Sequence, residues 1–162
     1  MKHRTLAMIC ATVALAAPQV ALAKPALDSK LWTGTWQLNS AKSKFSSAEY
    51  TPKKDTRTYA VTGVKVTMRS NSVGGDGKPM TWSYSAPANG KPYPTAGNPN
   101  VDRVALTIVG PRELKSETSL KGKTSATATL SVSGDGKELT VKRSLVTPKG
   151  ATDDTMIFDR TK

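Results

Sequence analysis

The sequence predicts an all-β protein, a single antiparallel up-and-down β-barrel of eight to ten strands. Three observations predict it. Apolar and polar residues alternate with a period of two through short segments of the 162-residue chain, with hardly any helical periodicity. Turn signals such as Thr62-Gly63, Asn89-Gly90 and Asp135-Gly136 separate the segments, and their glycines supply the positive φ angles that tight hairpins require. Only one face of each segment is apolar, as expected when one sheet wraps around one interior. Closing such a meander into a barrel hides its strand edges; a two-sheet sandwich is the alternative that the same pattern allows.

The first 23 residues are set apart from the fold. Lys2, His3 and Arg4 are basic, the stretch from Leu6 to Ala17 is apolar, and Ala21-Leu22-Ala23 offers small residues to a signal peptidase. This predicts a signal peptide over residues 1–23, cleavage before Lys24, and a soluble product in the periplasm or secreted. The apolar run falls short of the about 20 residues a spanning helix needs, so no transmembrane segment is expected after cleavage. An uncleaved N-terminal anchor is the alternative. Cys10 follows Met8-Ile9, and Ile9 is too bulky for a lipidation signal. Residues 24–162 then form one domain without a linker or low-complexity tract.

The elements follow in order. Trp32 to Leu38 is the first strand, and Ser40 to Phe45 a short helical turn capped by Asn39 or Ser40. Thr56 to Thr62 and Val64 to Ser70 form a tight hairpin. Gly74-Gly75-Asp76-Gly77-Lys78 turns into Met80 to Ala86, Asn89-Gly90-Lys91 turns again, and the Pro-rich stretch Pro92 to Pro99 reads as a loop. Then come Asp102 to Val109, Arg112 to Leu120, Thr124 to Val132, Glu138 to Val146 and Thr155 to Arg160, joined by Gly-containing turns. The count is nine strands. Trp36, Val66, Trp82, Leu106, Leu130, Val141 and Phe158 share the apolar parity of their strands and are expected to face inward.

Composition excludes several chemistries. The single cysteine and single histidine, Cys10 and His3, both leave with the leader. Disulfides, Ser-His-Asp triads, Cys-His pairs, and zinc or haem sites with His or Cys ligands are therefore excluded, and no cofactor or metal is implied. Any catalysis rests on Asp, Glu, Lys, Tyr, Arg or an added group. The formal charge is +12, and +10 without the leader. The lysines are scattered singly among turns, only Lys53-Lys54 being adjacent, so specific nucleic-acid binding is not expected. Asp153-Asp154 and Asp159 lack the spacing of an EF-hand loop.

Three blocks carry a family resemblance: Gly34-Thr35-Trp36-Gln37-Leu38-Asn39 with Lys42-Ser43-Lys44-Phe45; Gly90-Lys91-x-Tyr93-Pro94-x-x-Gly97-Asn98-Pro99 with Asp102; and Ser133-x-Asp135-Gly136-Lys137-x-Leu139-Thr140. Together the chain resembles a family of exported bacterial lipocalin-like (calycin-type) barrels of largely unassigned function. The resemblance implies an up-and-down barrel with an internal cavity for an apolar or amphipathic molecule. It also implies that Arg160 lies over the Trp36 indole and plugs one end by a cation–π contact.

Charged residues on the inner parity point to a site. Arg57 and Tyr59 precede Val61 on one face, and Arg143 lies between Val141 and Leu145. In the functional reading Arg57 and Arg143 hold the carboxylate of a fatty-acid-like ligand, Tyr59 or Tyr84 donates a hydroxyl, Trp82 and Tyr84 form an apolar wall with Met80, and Tyr93 stands at the mouth. In the structural reading the arginines reach solvent from strand ends or pair with Asp102 or Glu117, and the aromatics are ordinary core. No Asp or Glu is expected at a clear inward position. The leading function is a carrier for a small hydrophobic or amphipathic, possibly anionic, molecule. The alternatives are a loop-mediated envelope interaction or inhibitor protein, acting through Tyr93 to Pro99, and a barrel isomerase or lyase using Tyr or a carboxylate.

Overall fold

A computed structural model describes residues 25–162, so the leader and cleavage site expected from the sequence lie outside the described residues. The strands are β1 (Gly34–Leu38), β2 (Lys54–Thr62), β3 (Lys65–Val73), β4 (Pro79–Pro87), β5 (Asn89–Ala96), β6 (Arg103–Gly110), β7 (Glu113–Leu120), β8 (Lys123–Val132), β9 (Glu138–Thr147) and β10 (Gly150–Arg160). All neighbours pair antiparallel, and β1 closes the ring between β10 and β2. The barrel expectation is met with ten strands rather than nine. The additional strand is β5, in the Pro-rich stretch read from sequence as a loop. Its ladder with β6 survives because the proline nitrogens point the other way: Thr95 N donates to Asp102 O at 2.9 Å, so in an alternating strand Pro92 and Pro94 face β4.

Three strand starts also differ from expectation by two residues or more. β2 begins at Lys54, which places Asp55 on the inner face, and β10 begins at Gly150, which does the same for Thr152 and Asp154. The turn after β1 is a turn only: Asn39 accepts from Lys42 N through both its carbonyl and its side chain, after which Lys44 bridges to Thr155. Trp32 ends a short helix, α1 (Ser29–Trp32), instead of opening β1; Asp28 caps it by accepting from the Lys30 and Leu31 amides. A single 3-10 turn, Ala48–Tyr50, sits in the β1–β2 connection.

One end of the barrel is plugged. Trp32 is fully buried beneath α1, and its indole N–H donates to Pro111 O at 3.1 Å. Arg160 lies with its guanidinium carbon 4.3 Å from the Trp36 ring centroid and donates to the carbonyls of Gly136, Thr33 and Leu31. Gly34 makes this closure possible: at φ +154 a Cβ there would sit 2.4 Å from Arg160 Nη1 and from Lys162 O. Six of the seven residues expected inside are buried, and Trp82 is half-buried against the same core. Val64, expected to open the third strand, instead stands 51% exposed in the β2–β3 turn.

Candidate ligand-binding site inside the barrel

The inner face changes character along the barrel axis. Toward the plug, Val61, Val66, Ile108, Leu114, Val132 and Leu139 are all buried. Toward the opposite end, Trp82, Leu120, Ala126, Arg143, Leu145 and Thr152 lie on the inner parity of β4, β7, β8, β9 and β10 yet are only half-buried. An inward side chain that keeps solvent-accessible area borders space that is not filled by protein. The inner face is therefore sealed in its plug half and keeps accessible area in the other, called the open half below.

Strand register assembles a polar and aromatic group at the boundary. Trp36, Arg57, Ser70 and Trp82 fall side by side on β1 to β4, and Tyr59, Met68 and Tyr84 form the adjacent row. Arg57 Nε donates to Asp55 Oδ2 at 2.8 Å, Ser70 Oγ donates to Asp55 Oδ1 at 2.7 Å, and the Arg57 guanidinium lies 4.6 Å from the Phe158 ring centroid. The charge is thus matched, hydrogen-bonded and covered by an aromatic face, as a buried arginine requires. Burial alone would lower the Arg57 pKa, but the Asp55 carboxylate beside it reverses that, and the net direction is upward. Burial also pushes the Tyr59 hydroxyl up and Tyr84 well up, so both stay protonated at neutral pH.

A second charged pair sits farther from the plug. Arg143 bonds Asp154, whose other oxygen accepts from both the amide and the hydroxyl of Ser46 at 3.0 Å. Burial raises the Asp154 pKa, but the bonds from Arg143 and Ser46 outweigh it and hold it below the ordinary carboxylate value. Among the described residues Arg143 Nε and Thr152 Oγ1 have no hydrogen-bond partner though both are buried, two polar atoms on adjacent strands of the inner face.

The predicted residues divide accordingly. Arg57, Tyr59, Trp82, Tyr84 and Arg143 all face inward; Arg57 and Tyr59 are sealed in, whereas Arg143 and Trp82 border the open half. Tyr93 is half-buried in mid-strand β5, not on a loop at the mouth, and its hydroxyl accepts from Asn89 Nδ2 at 2.9 Å. The partners expected for the arginines are corrected: Asp55 and Asp154 take the places suggested for Asp102 and Glu117, and they are the inward carboxylates that sequence reasoning did not place. The available signal was parity, since Asp55 stands two residues before Arg57, and Asp154 two before Met156. A shallow depression of about 690 Å³ lies on the outside of the wall among Thr107, Lys115, Glu117, Thr129, Lys142 and Thr155; of the predicted residues only Arg143 borders it.

No protein-family model and no curated protein matches the chain by sequence. One solved structure that matches in three dimensions is zebrafish ileal bile acid-binding protein complexed with cholic acid. The TM-score is 0.52 at 12% sequence identity, over 81% of this chain and 99% of that one. The fold is a calycin-type barrel. At that identity the likeness concerns architecture, and the calycin-type barrel described here fills its plug half with its own side chains. Among the described residues no helix is long and apolar enough to cross a membrane.

Proposed function

We propose that the protein is an exported carrier that holds one small amphipathic molecule in the open half of its barrel, within the periplasm. The observation that carries this reading is the set of half-buried inward side chains: a barrel serving only as a scaffold would bury them. Trp82, Leu120 and Leu145 supply apolar contact there, with Tyr84 and Tyr93 beside them. Arg143 is more exposed than Arg57 and has an Nε with no partner among the described residues, so beside its pair with Asp154 it has a donor for a carboxylate-like head group. Arg57, neutralised by Asp55, supports the wall instead of meeting ligand. The basic apolar leader with Ala21-Leu22-Ala23 supports export. A fold shared with a bile acid-binding protein is consistent with an amphipathic ligand.

Organic extraction of purified protein followed by mass spectrometry tests the reading, and a stoichiometric lipid-like species is the expected result. Arg143→Met is expected to weaken anionic ligands about ten- to hundredfold while sparing neutral analogues. Protein that yields no extractable species and binds no fluorescent apolar probe would end the carrier reading.

A further inference from the structure

The two inward arginines are held differently. Both oxygens of Asp55 are occupied, by Arg57 and by Ser70, and the Phe158 ring covers the Arg57 guanidinium. Among the described residues the Arg143 side chain bonds Asp154 alone. Its register row runs Ser116, Ala128, Arg143, Asp154 across β7 to β10, so small side chains adjoin it on the inner face and no aromatic ring covers it. Its Nε and the nearby Thr152 Oγ1 are the orphaned polar atoms of this face. An anion reaching the open half would meet these two groups. It would also meet the Asp154 carboxylate, already bonded to the same guanidinium.

That carboxylate has no room to step aside. Its side chain is 2% exposed, and its other oxygen accepts from the Ser46 amide and hydroxyl at 3.0 Å. Two anionic groups on one half-buried guanidinium repel, and in such a pair one group takes up a proton. Among the described residues no other charge relieves the repulsion. Asp153 stands on the outer parity of β10, and Lys44, bridged to Thr155, is exposed. Glu49 of the β1–β2 connection is tied to Lys149, and Arg57 of β2 is neutralised by Asp55. Burial raises the Asp154 pKa, but Arg143 and Ser46 hold it below the ordinary carboxylate value, so Asp154 is ionised at neutral pH while the site is free.

We infer, resting on the carrier reading, that an anionic ligand binds at Arg143 together with a proton on Asp154, so that Asp154 sets both the pH dependence and the charge preference of the site. The proton comes from solvent and stays on Asp154 Oδ2, which then donates to a head-group oxygen. Oδ1 keeps its bonds from Ser46. The ligand replaces Asp154 as the counter-charge of Arg143, and the net charge of the group is preserved. Affinity for anions therefore rises as pH falls from neutrality, and it levels off below the pKa that Asp154 has in the free protein. Neutral ligands leave the Arg143–Asp154 pair intact and bind without pH dependence.

The test is fluorescence titration of the full chain from about pH 8 to about pH 5, a range over which stability is expected to be flat. One probe is anilinonaphthalene sulfonate, which stays ionised throughout; the other is phenylnaphthylamine, the same rings without the sulfonate. Kd for the sulfonate is expected to fall about tenfold across the range, and Kd for the amine to stay constant. Calorimetry in two buffers of different ionisation enthalpy is expected to show proton uptake with the sulfonate alone, a readout that needs no variant. Asp154→Asn keeps an acceptor for Ser46 and removes the charge. It is expected to bind the sulfonate at the high end of the range as tightly as the parent does at the low end, with the pH dependence gone. Asp153→Asn, on the outer face, is expected to change neither. Sulfonate affinity independent of pH, binding without proton uptake, or a dependence abolished equally by Asp153→Asn overturns the coupling, while binding of phenylnaphthylamine keeps the carrier reading. A parent protein that binds neither probe overturns both.

Discussion

At the residue scale the decisive feature is that each inward arginine arrives with its own aspartate. Arg57 and Asp55 stand two apart on β2, and their side chains are 11% and 4% exposed. Removing one partner leaves an uncompensated buried charge, so Asp55→Asn is expected to cost about 3–5 kcal/mol in urea unfolding. Asp55→Leu combined with Arg57→Met is expected to recover most of that loss; a double variant as unstable as the single one would show that the pair itself stabilises the barrel. Asp154 adds a pH dependence whose sign is fixed. Its folded pKa is depressed, so its contribution is complete above the unfolded carboxylate value and is lost as pH falls through the folded one. Unfolding free energy is expected to be flat from neutrality to about pH 5 and to decline below about pH 4, with Asp154→Asn removing much of the decline. Both aspartates share their strand's inner parity, a signal present in the sequence; the strand starts, which decide whether that parity applies, are not.

At the element scale, α1 and the start of β1 form the plug. The helix is only one turn long and owes its stability to packing, because a first turn costs more backbone order than its hydrogen bonds return. Trp32→Ala opens a cavity beneath it and is expected to cost about 3–5 kcal/mol. Gly34→Ala drives a methyl group into Arg160 and the Lys162 carbonyl, and a loss of about 2 kcal/mol or more in chemical denaturation is expected. The Arg160–Trp36 contact followed from resemblance to lipocalin-like barrels and is present. α1 was not legible, since Ser29–Trp32 is too short to show helical periodicity. β5 was hidden by the opposite difficulty. Proline argues against a ladder, but only on the side its nitrogen faces, and that side depends on which neighbour sits where.

At the scale of the whole molecule, closure leaves no free sheet edge among the described residues except where β4 and β5 part, and every strand there depends on two neighbours. Unfolding is expected to be one cooperative transition, with tryptophan fluorescence and far-UV circular dichroism coincident in urea. Trp32 and Trp36 report the plug and Trp82 the open half. Divergent midpoints would mean that the two halves unfold separately.

The sequence by itself determined the class, the strand alternation, the inward side of the strands it marked and the absence of cysteine and histidine from residues 24–162. These are local properties: a period of two and a glycine at a tight turn need no distant partner. Tertiary structure decided the rest. The pairing of Arg143 with Asp154, the bond from Ser46 to that aspartate, the half-buried part of the inner face and the parting of β4 from β5 all depend on contacts between strands. Burial and hydrogen-bond partnership are set by neighbours in space, and a linear pattern records which residues could face the interior without recording what meets them there.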